Sequence, residues 1–172
     1  HLLKAWSKTY DLNYNITYCS NNYGPFQHPS KFIPTVIIRN ILERKVPIYG
    51  NGMNVRDWLY VEDHAKALLK IIKFNKVNEA YIIGGNNELN NIKTANLICN
   101  DFNSKRDDCF DHKSLIEFVE DRKGHDERYG VNTTKIQKEL NWLPEESFST
   151  GLEKTIEWYK LNTNWWKRLY YE

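Results

Sequence analysis

The amino-acid sequence predicts a mixed α/β fold built from parallel strands, helices and one hairpin. Segments with strand-like and helix-like patterns alternate along the 172 residues, which favours parallel pairing of the strands. Two strands, at residues 46–49 and 55–61, flank the turn Gly50-Asn51-Gly52 and are predicted to form a hairpin that interrupts this alternation. The length suits one unit with a sizeable core, and we expect residues 1–172 to form a single domain.

The first predicted helix starts at the first residue of the chain. Apolar residues recur there at helical spacing, but no capping residue or turn precedes them. A helix that starts in mid-pattern predicts that the chain is cut from a longer protein. The apolar residues are Leu2, Leu3, Trp6 and Tyr10.

The next segments alternate between strand and helix. Residues 15–19 are predicted to form a strand, and residues 20–25 a polar turn. A helix is expected over residues 34–44, because its isoleucines recur at helical spacing and Pro34 suits a first turn. After the hairpin, Asp63 is predicted to cap a helix that ends at Phe74. The side chains expected to point inward from that helix are Ala65, Leu68, Leu69 and Ile72.

The remaining elements continue the alternation. A strand over residues 79–83 is predicted to stop at Gly84-Gly85, where the glycines form either a tight turn or a backbone contact with a ligand. A helix over residues 91–102 should bury Ala95, Ile98 and Phe102. The sequence then predicts a charged loop at 105–113, a strand at 116–119, and helices at 134–140 and 152–161.

Composition excludes several classes of protein. The 24 basic and 22 acidic residues give a net charge of +2, which excludes a strongly basic nucleic-acid binder. A mean hydropathy of −0.69 and the lack of a long apolar run exclude a membrane span. The five histidines are scattered, so no metal site is predicted. Three cysteines argue against a disulfide scaffold and favour reduced thiols in a cytoplasmic protein.

The first polar cluster follows the predicted strand at residues 15–19. Asn21 and Asn22 are adjacent amides, and ligands of open α/β sheets bind outside the carboxyl ends of strands. Such amides suit sugar hydroxyls or a carboxamide. An asparagine-rich turn without a ligand explains the same residues equally well.

The second cluster, at residues 55–64, contains Arg56 at the start of a strand. A guanidinium can bind a phosphate group through two parallel hydrogen bonds. The alternative is a salt bridge from Arg56 to Asp57 or Glu62, and pairs of that kind contribute little when exposed.

The third cluster, at residues 120–129, places mixed charges around Gly124, directly after a predicted strand. A loop of this kind could contact an anion. A charged loop that only faces solvent is the ordinary alternative.

Together the clusters resemble the dTDP-glucose 4,6-dehydratases, which are extended short-chain dehydrogenase/reductases acting on nucleotide sugars. The resemblance extends to about Trp166, and the string RDWLYVEDHA is its most specific part. The segments that carry it are CSNNYGP at 19–25, IPTVIIRNI at 33–41, PIYGNG at 47–52, VRDWLYVEDHAKAL at 55–68, IIGGNNE at 82–88 and DRKGHDERYG at 121–130.

The resemblance covers only the C-terminal half of such an enzyme. No tyrosine here is followed by a lysine four residues later, and no three of the eight glycines form the dinucleotide fingerprint. The resemblance therefore implies a mixed α/β substrate-binding lobe plus the last strands and helices of a Rossmann-like NAD-binding fold, with the N-terminal Rossmann half absent. It implies no catalytic residue in this chain, and we expect the chain alone to be inactive and to bind no NAD.

In the complete enzyme, the resemblance implies oxidation of glucose at C4 by NAD, elimination of water across C5 and C6, and return of the hydride to C6. It implies that this half mainly holds the nucleotide sugar, dTDP-glucose. The residue implied at the cofactor is Asn22. The residues implied at the substrate are Asn21, Lys31, Phe32, Pro47, Ile48, Tyr49, Arg56, Asn91, Asp121, Arg122, Gly124 and His125.

Three departures from the usual pattern leave the nucleotide sugar open. Phe26, Lys123 and Ile82 stand where tyrosine, proline and asparagine are common, so a related dehydratase or decarboxylase is an alternative. A non-catalytic binding or assembly module is a second alternative.

The complete enzyme is expected to be a homodimer. This chain alone is expected to self-associate through an exposed apolar patch. The patch is predicted to include Leu2, Leu3, Trp6, Ile16 and Tyr18.

Overall fold

A computed structural model describes residues 1–170 of the chain as seven helices and eight strands. The helices are α1 (Leu2–Tyr10), α2 (Phe32–Ile41), α3 (Val61–Lys73), α4 (Asn91–Ser104), α5 (Thr134–Leu140), α6 (Phe148–Leu161) and α7 (Thr163–Tyr170), and a 3-10 turn spans His112–Leu115. The strands are β1 (Asn15–Cys19), β2 (Asn21–Tyr23), β3 (Val46–Tyr49), β4 (Val55–Tyr60), β5 (Glu79–Ile83), β6 (Glu88–Asn90), β7 (Ile116–Val119) and β8 (Arg128–Tyr129).

The strands form three small sheets, and most of their pairs are parallel. β1 pairs with β5 and β3 pairs with β7, both in parallel. β4 pairs in parallel with β2 and β8 and antiparallel with β6. The sheets combine parallel and antiparallel pairs as predicted, but the antiparallel pair is β4 with β6 and not β3 with β4.

The predicted hairpin between β3 and β4 is wrong. The turn itself forms, because the Gly52 amide donates to the Tyr49 carbonyl over 3.1 Å. The Ile92 amide then donates to the Gly52 carbonyl over 3.0 Å and ties the turn to α4. Glycines specify only the chain reversal, whereas the apolar strand β7 supplies the partner that covers β3.

Two hydrophobic cores stabilise the described chain. The larger core lies among the helices α2, α4, α6 and α7 and the strands β3 and β4, and its most deeply buried members include Ile37, Ile48 and Trp166. The smaller core lies between the β1–β5 sheet and the helices α3 and α5, around Tyr81 and Ile136.

The sequence prediction for α3 is wrong at its start and on its buried face. The helix begins at Val61, after Tyr60, so Asp63 is not its cap. Leu69 and Ile72 are 56% and 74% exposed. Ala65 is also exposed, Leu68 is half-buried, and the residues that point inward are Ala67 and Ile71. The apolar residues of α3 extend beyond the narrow face that packs into the smaller core, so spacing alone selects the wrong face.

Asp63 instead joins α3 to the segment before α6. The Asp63 side chain is 1% exposed, and its Oδ2 accepts hydrogen bonds from the Glu145 and Glu146 amides at 3.1 and 2.9 Å.

Other boundaries differ by a few residues. The segment at 20–25 contains β2 and is not only a turn, because its backbone pairs with β4. α2 starts two residues before Pro34, and α6 starts at Phe148, where the Ser147 side chain accepts from the Thr150 amide. α7, β6 and β8 were not predicted. β1, β3, β5, β7 and α5 have the predicted bounds, and Ala95, Ile98 and Phe102 are buried as predicted.

Within residues 1–170, no helix is both long and apolar enough to span a bilayer. All three cysteines are free, and burial raises the pKa of the Cys99 thiol to about 11.

Candidate functional site

An open cleft lies between the turn after β3 and the loop that follows β7. Its volume is about 390 Å³, and most of its lining is polar. The lining residues are Asn51, Met53, Asn54, Asp121, His125 and Glu127.

Backbone pairing holds the two walls of this cleft together. The Val55 amide donates to the Glu127 carbonyl over 2.7 Å, and β8 continues this contact along β4. Arg128 then forms two hydrogen bonds with Glu88 on β6, at 2.8 and 2.6 Å. The charged segment at 120–129 is therefore anchored to β4 at its end, although most of its side chains are exposed.

Arg56 lies at the inner end of this region, and the residue as a whole is 8% exposed. Nη1 donates to the Val55 carbonyl over 2.7 Å and Nη2 donates to the Asp126 carbonyl over 2.9 Å. Burial lowers the pKa of Arg56, the nearby Arg122 adds to this effect, and Asp126 opposes it. No carboxylate among residues 1–170 forms an ion pair with Arg56, so the salt bridge to Asp57 or Glu62 is wrong.

Asp57 points away from Arg56 and binds a different loop. Its two carboxylate oxygens accept from the Gly85 amide at 2.9 Å and the Asn87 amide at 2.7 Å. A Cβ on Gly85 would lie 1.8 Å from the Trp58 carbonyl oxygen, so only glycine allows this approach. The two glycines after β5 therefore form a tightly packed turn against β4.

His125 and Asp121 form a pair on the cleft wall. His125 Nδ1 lies 2.7 Å from Asp121 Oδ1, and the His125 ring meets the Tyr49 ring edge-on with centroids 6.5 Å apart. The hydrogen bond from His125 lowers the pKa of the Asp121 carboxyl. Gly50 makes room for this carboxylate, because a Cβ there would lie 2.9 Å from Asp121 Oδ2.

The other residues implied near the nucleotide lie on β3, at the start of α4 and in the loop after β7. The buried Asn91 starts α4, and its amide donates to the Asn54 carbonyl over 3.1 Å. Arg122 is exposed, and its amide donates to Asp121 Oδ1 over 2.9 Å. Gly124 has φ +70° with open space around its Cβ position. On β3, Pro47 is half-buried and Ile48 is fully buried in the larger core.

The predicted residues of the first cluster lie at the other end of β4. Asn21 is the register partner of Trp58, and its Oδ1 is buried without a hydrogen bond to any of residues 1–170. Asn22 Nδ2 donates to the Ser20 carbonyl over 3.1 Å. Phe32 stacks on Trp58 with a ring-centroid distance of 6.2 Å, and the exposed Lys31 precedes it at the start of α2.

The structure thus brings Tyr49, Arg56, Asn91 and the loop at 121–125 to one end of β4. Asn21, Asn22 and Phe32 lie near the opposite end of this strand. Sequence reasoning missed Asn54, which lines the cleft and donates through Nδ2 to the Asp126 carbonyl over 3.2 Å. No local pattern could reveal it, because its partner is 72 residues away.

The described residues include no cluster of three or more histidine, cysteine or acidic side chains that could hold a metal ion.

Known proteins with similar sequences are nucleotide-sugar dehydratases. A family model described as GDP-mannose 4,6 dehydratase matches residues 1–155. The chain is 46% identical over 173 residues to a dTDP-glucose 4,6-dehydratase of Escherichia coli, a match that covers 98% of this chain and 48% of the relative. It is 48% identical over 170 residues to a probable dTDP-glucose 4,6-dehydratase of Sinorhizobium fredii, with the same coverage of 98% and 48%.

Solved structures of dTDP-glucose 4,6-dehydratases have a similar fold over this part of the chain. A dTDP-glucose 4,6-dehydratase of Bacillus anthracis in complex with NAD is similar at a TM-score of 0.85 and 43% identity, covering 96% of this chain and 50% of that one. One from Streptomyces venezuelae, with NAD and TYD bound, is similar at a TM-score of 0.88 and 37% identity, covering 96% and 49%. The chain therefore spans about half the length of the relatives that it matches.

Proposed function

The chain belongs to the family described as GDP-mannose 4,6 dehydratase, and we propose that it is the C-terminal, nucleotide-sugar-binding part of an NAD-dependent dTDP-glucose 4,6-dehydratase. The complete enzyme would convert dTDP-glucose to dTDP-4-keto-6-deoxyglucose. Residues 1–172 would form one unit of it, and we expect that enzyme in the cytoplasm.

The observation that best supports this proposal is the buried Arg56 without a carboxylate partner among residues 1–170. Its direct partners are two neutral carbonyls, and the Asp126 carboxylate acts on it only from beyond ion-pair distance, so a bound anion would be favoured at the free donors of this buried residue. The diphosphate of a nucleotide sugar would supply that anion. Arg122 adds a second positive charge that interacts with Arg56.

The surroundings of Arg56 suit the two ends of such a ligand. His125 lines the cleft and offers a ring nitrogen there, and the exposed Tyr49 ring lies against it, so the base and ribose would lie on this side. Arg56 and Trp58 lie two residues apart on the same face of β4, and Asn21 is the register partner of Trp58. The hexose would then point toward Asn21, with Lys31 and Phe32 beside it.

Catalysis would depend on groups outside these residues. The sequence has neither a Tyr-x-x-x-Lys pair nor a glycine-rich dinucleotide loop. NAD would bind mainly to the part of the enzyme that carries those motifs, and Asn22 would be this chain's contact with it. We expect the chain alone to form no 4-keto sugar.

Exposed apolar residues support contacts with further protein. One face of α1 exposes Leu2, Leu3 and Trp6 by 70%, 54% and 52%. On the β1–β5 sheet, Tyr18 and its register partner Ile82 are 58% and 37% exposed. In the complete enzyme these surfaces would be covered by the remaining half and by a second subunit, whereas the isolated chain would self-associate.

Titration calorimetry of the chain with dTDP-glucose and with dTDP tests the binding function. We expect both ligands to bind at one site per chain and Arg56→Ala to abolish or strongly weaken binding. A chain that binds neither ligand, while its unfolding remains cooperative, would contradict the proposal. UDP-glucose and GDP-mannose serve as competing ligands, and tighter binding of either would reassign the nucleotide.

A further inference from the structure

The pair of Asp121 and His125 places a carboxylate on the wall of the cleft, on the side where the proposed function puts the base and ribose. Asp121 Oδ1 lies 2.7 Å from His125 Nδ1. The side chain of His125 is only 5% exposed, whereas that of Asp121 is 42% exposed. A direct contact with base or ribose would use the carboxylate oxygens, but Oδ1 already accepts two hydrogen bonds from the chain itself.

Asp121 is fixed on three sides. Its Oδ1 accepts from the Arg122 amide over 2.9 Å as well as from His125. Its Oδ2 faces Gly50, whose φ of +55° and lack of a side chain leave the space for it. The carboxylate therefore connects the turn after β3 with the loop after β7, which form the two walls of the cleft.

This contact determines the state of the His125 ring. An ionised carboxylate only accepts hydrogen bonds, so Nδ1 must carry a hydrogen. The other ring nitrogen, Nε2, makes no hydrogen bond to any of residues 1–170, and His125 lines the cleft. The edge-on contact with Tyr49 further restricts rotation of the ring.

We propose that Asp121 is a positioning residue that fixes the tautomer and orientation of His125, so that Nε2 faces the nucleotide in the cleft. This inference rests on the proposed function for the identity of the ligand. It replaces the implied role of Asp121 as a substrate contact.

The inference and direct charge repulsion predict opposite results for substitution of Asp121. If Asp121 positions His125, Asp121→Ala should weaken dTDP binding by about tenfold, the usual effect of losing a charge-assisted hydrogen bond. Asp121→Asn should recover part of this loss, because its amide oxygen can still accept from Nδ1. If Asp121 mainly repels the ligand, both variants should bind dTDP more tightly.

Two controls separate positioning from net charge and from general damage. Glu120→Gln removes the same charge one residue earlier, where the exposed side chain has no hydrogen bond to residues 1–170, and it should change affinity by less than about twofold. In a His125→Ala background, Asp121→Ala should have no further effect, because the group that it positions is gone. An additive double mutant would overturn the inference.

A second readout does not require the ligand. Nitrogen-15 NMR of the histidine side chains should show His125 protonated at Nδ1 in the wild-type chain and a larger Nε2-protonated fraction in Asp121→Ala. An unchanged tautomer would overturn the positioning role. If the wild-type chain bound no dTDP but the tautomer shifted as expected, the proposed function would fail and the role of Asp121 toward His125 would stand.

Discussion

His64 Nδ1 lies 2.8 Å from Asn22 Oδ1 and joins the first turn of α3 to β2. Because Asn22 Nδ2 donates to the Ser20 carbonyl, Oδ1 is the acceptor and His64 Nδ1 carries the hydrogen. Burial lowers the pKa of His64 and so favours the neutral ring, whose hydrogen then lies on Nδ1. Both ends of the Asn22 amide are therefore held by the chain, which fixes its orientation and leaves one N–H and one lone pair of Oδ1 for a ligand.

Arg56→Ala should weaken nucleotide-sugar binding in the complete enzyme by roughly 2–5 kcal/mol, because the diphosphate would lose a partner in a desolvated site. Arg56→Lys should recover only part of this loss, since the ammonium lacks the planar fork. Calorimetric titration with dTDP-glucose measures both effects. Normal binding by the alanine variant would show that Arg56 does not hold the ligand.

Asp57→Asn should destabilise the fold without directly affecting the cleft. The amide that replaces one oxygen cannot accept from the Gly85 or Asn87 backbone, which leaves a buried donor unpaired at a cost of about 1–3 kcal/mol. Urea unfolding gives the change in free energy, and Glu62→Gln, at an exposed residue of α3, is the matched control. Equal stability of the two variants would contradict the role of Asp57 as the anchor of the turn.

His112 should make stability depend on pH. Its side chain is buried against Asn40, whose amide donates to the Val36 carbonyl, so His112 Nδ1 donates to Asn40 Oδ1 over 2.8 Å. Burial and then the nearby Arg106 lower the pKa of His112. The unfolded chain therefore binds more protons, and the stability present above the ordinary histidine pKa is lost as the pH falls toward the folded value.

Urea unfolding from about pH 7.5 to about pH 5.5 measures this effect. His64 contributes in the same direction, because burial also lowers its pKa. The variant His112→Asn keeps a donor near the Nδ1 position but cannot titrate, so its stability should fall less over this range. A pH dependence identical to that of the wild type would assign the effect to other groups.

The isolated chain should bind no NAD in calorimetric titration. The pyrophosphate needs backbone amides of a glycine turn at a helix N-terminus, and the eight glycines of the chain do not form that fingerprint. Binding in the micromolar range would require a different mode of cofactor recognition.

Trp6→Glu should reduce self-association of the chain. Trp6 is 52% exposed beside Tyr10 on the apolar face of α1, and a charge there would oppose burial against another copy. Light scattering across a range of concentrations measures the effect, and Lys4→Glu is the control on the same helix. A wild-type chain that stays monomeric would contradict the prediction before any variant is made.

The sequence predicted correctly those elements whose residues alone determine where they begin and end. β1, β5 and α5 have the predicted bounds because their apolar spacing and flanking turns are encoded within each segment. β2, β6 and β8 are only two or three residues long and exist because β4 offers them a partner, so no periodicity could reveal them.

In the candidate site, too, the sequence indicates residue types but not the partners that folding brings to them. The resemblance named Arg56 and His125, but the direct contacts of Arg56 are backbone carbonyls. The carbonyl of Asp126 has no sequence signal, because any residue type supplies the same group. The partner of Asp57 was equally hidden, since the turn at 84–87 reaches it only through the folded chain.

The long-range strand pairs also determine when the cleft can form during synthesis. Val46 pairs with Ile116 and Val55 pairs with Arg128, so β3 leaves the ribosome well before β7, and β4 well before β8. Closing such long loops costs entropy before any contact compensates for it, which makes folding slow. The nascent chain therefore exposes the unpaired edge of β3 during much of translation, and chaperones that cover strand edges have their longest opportunity to bind there.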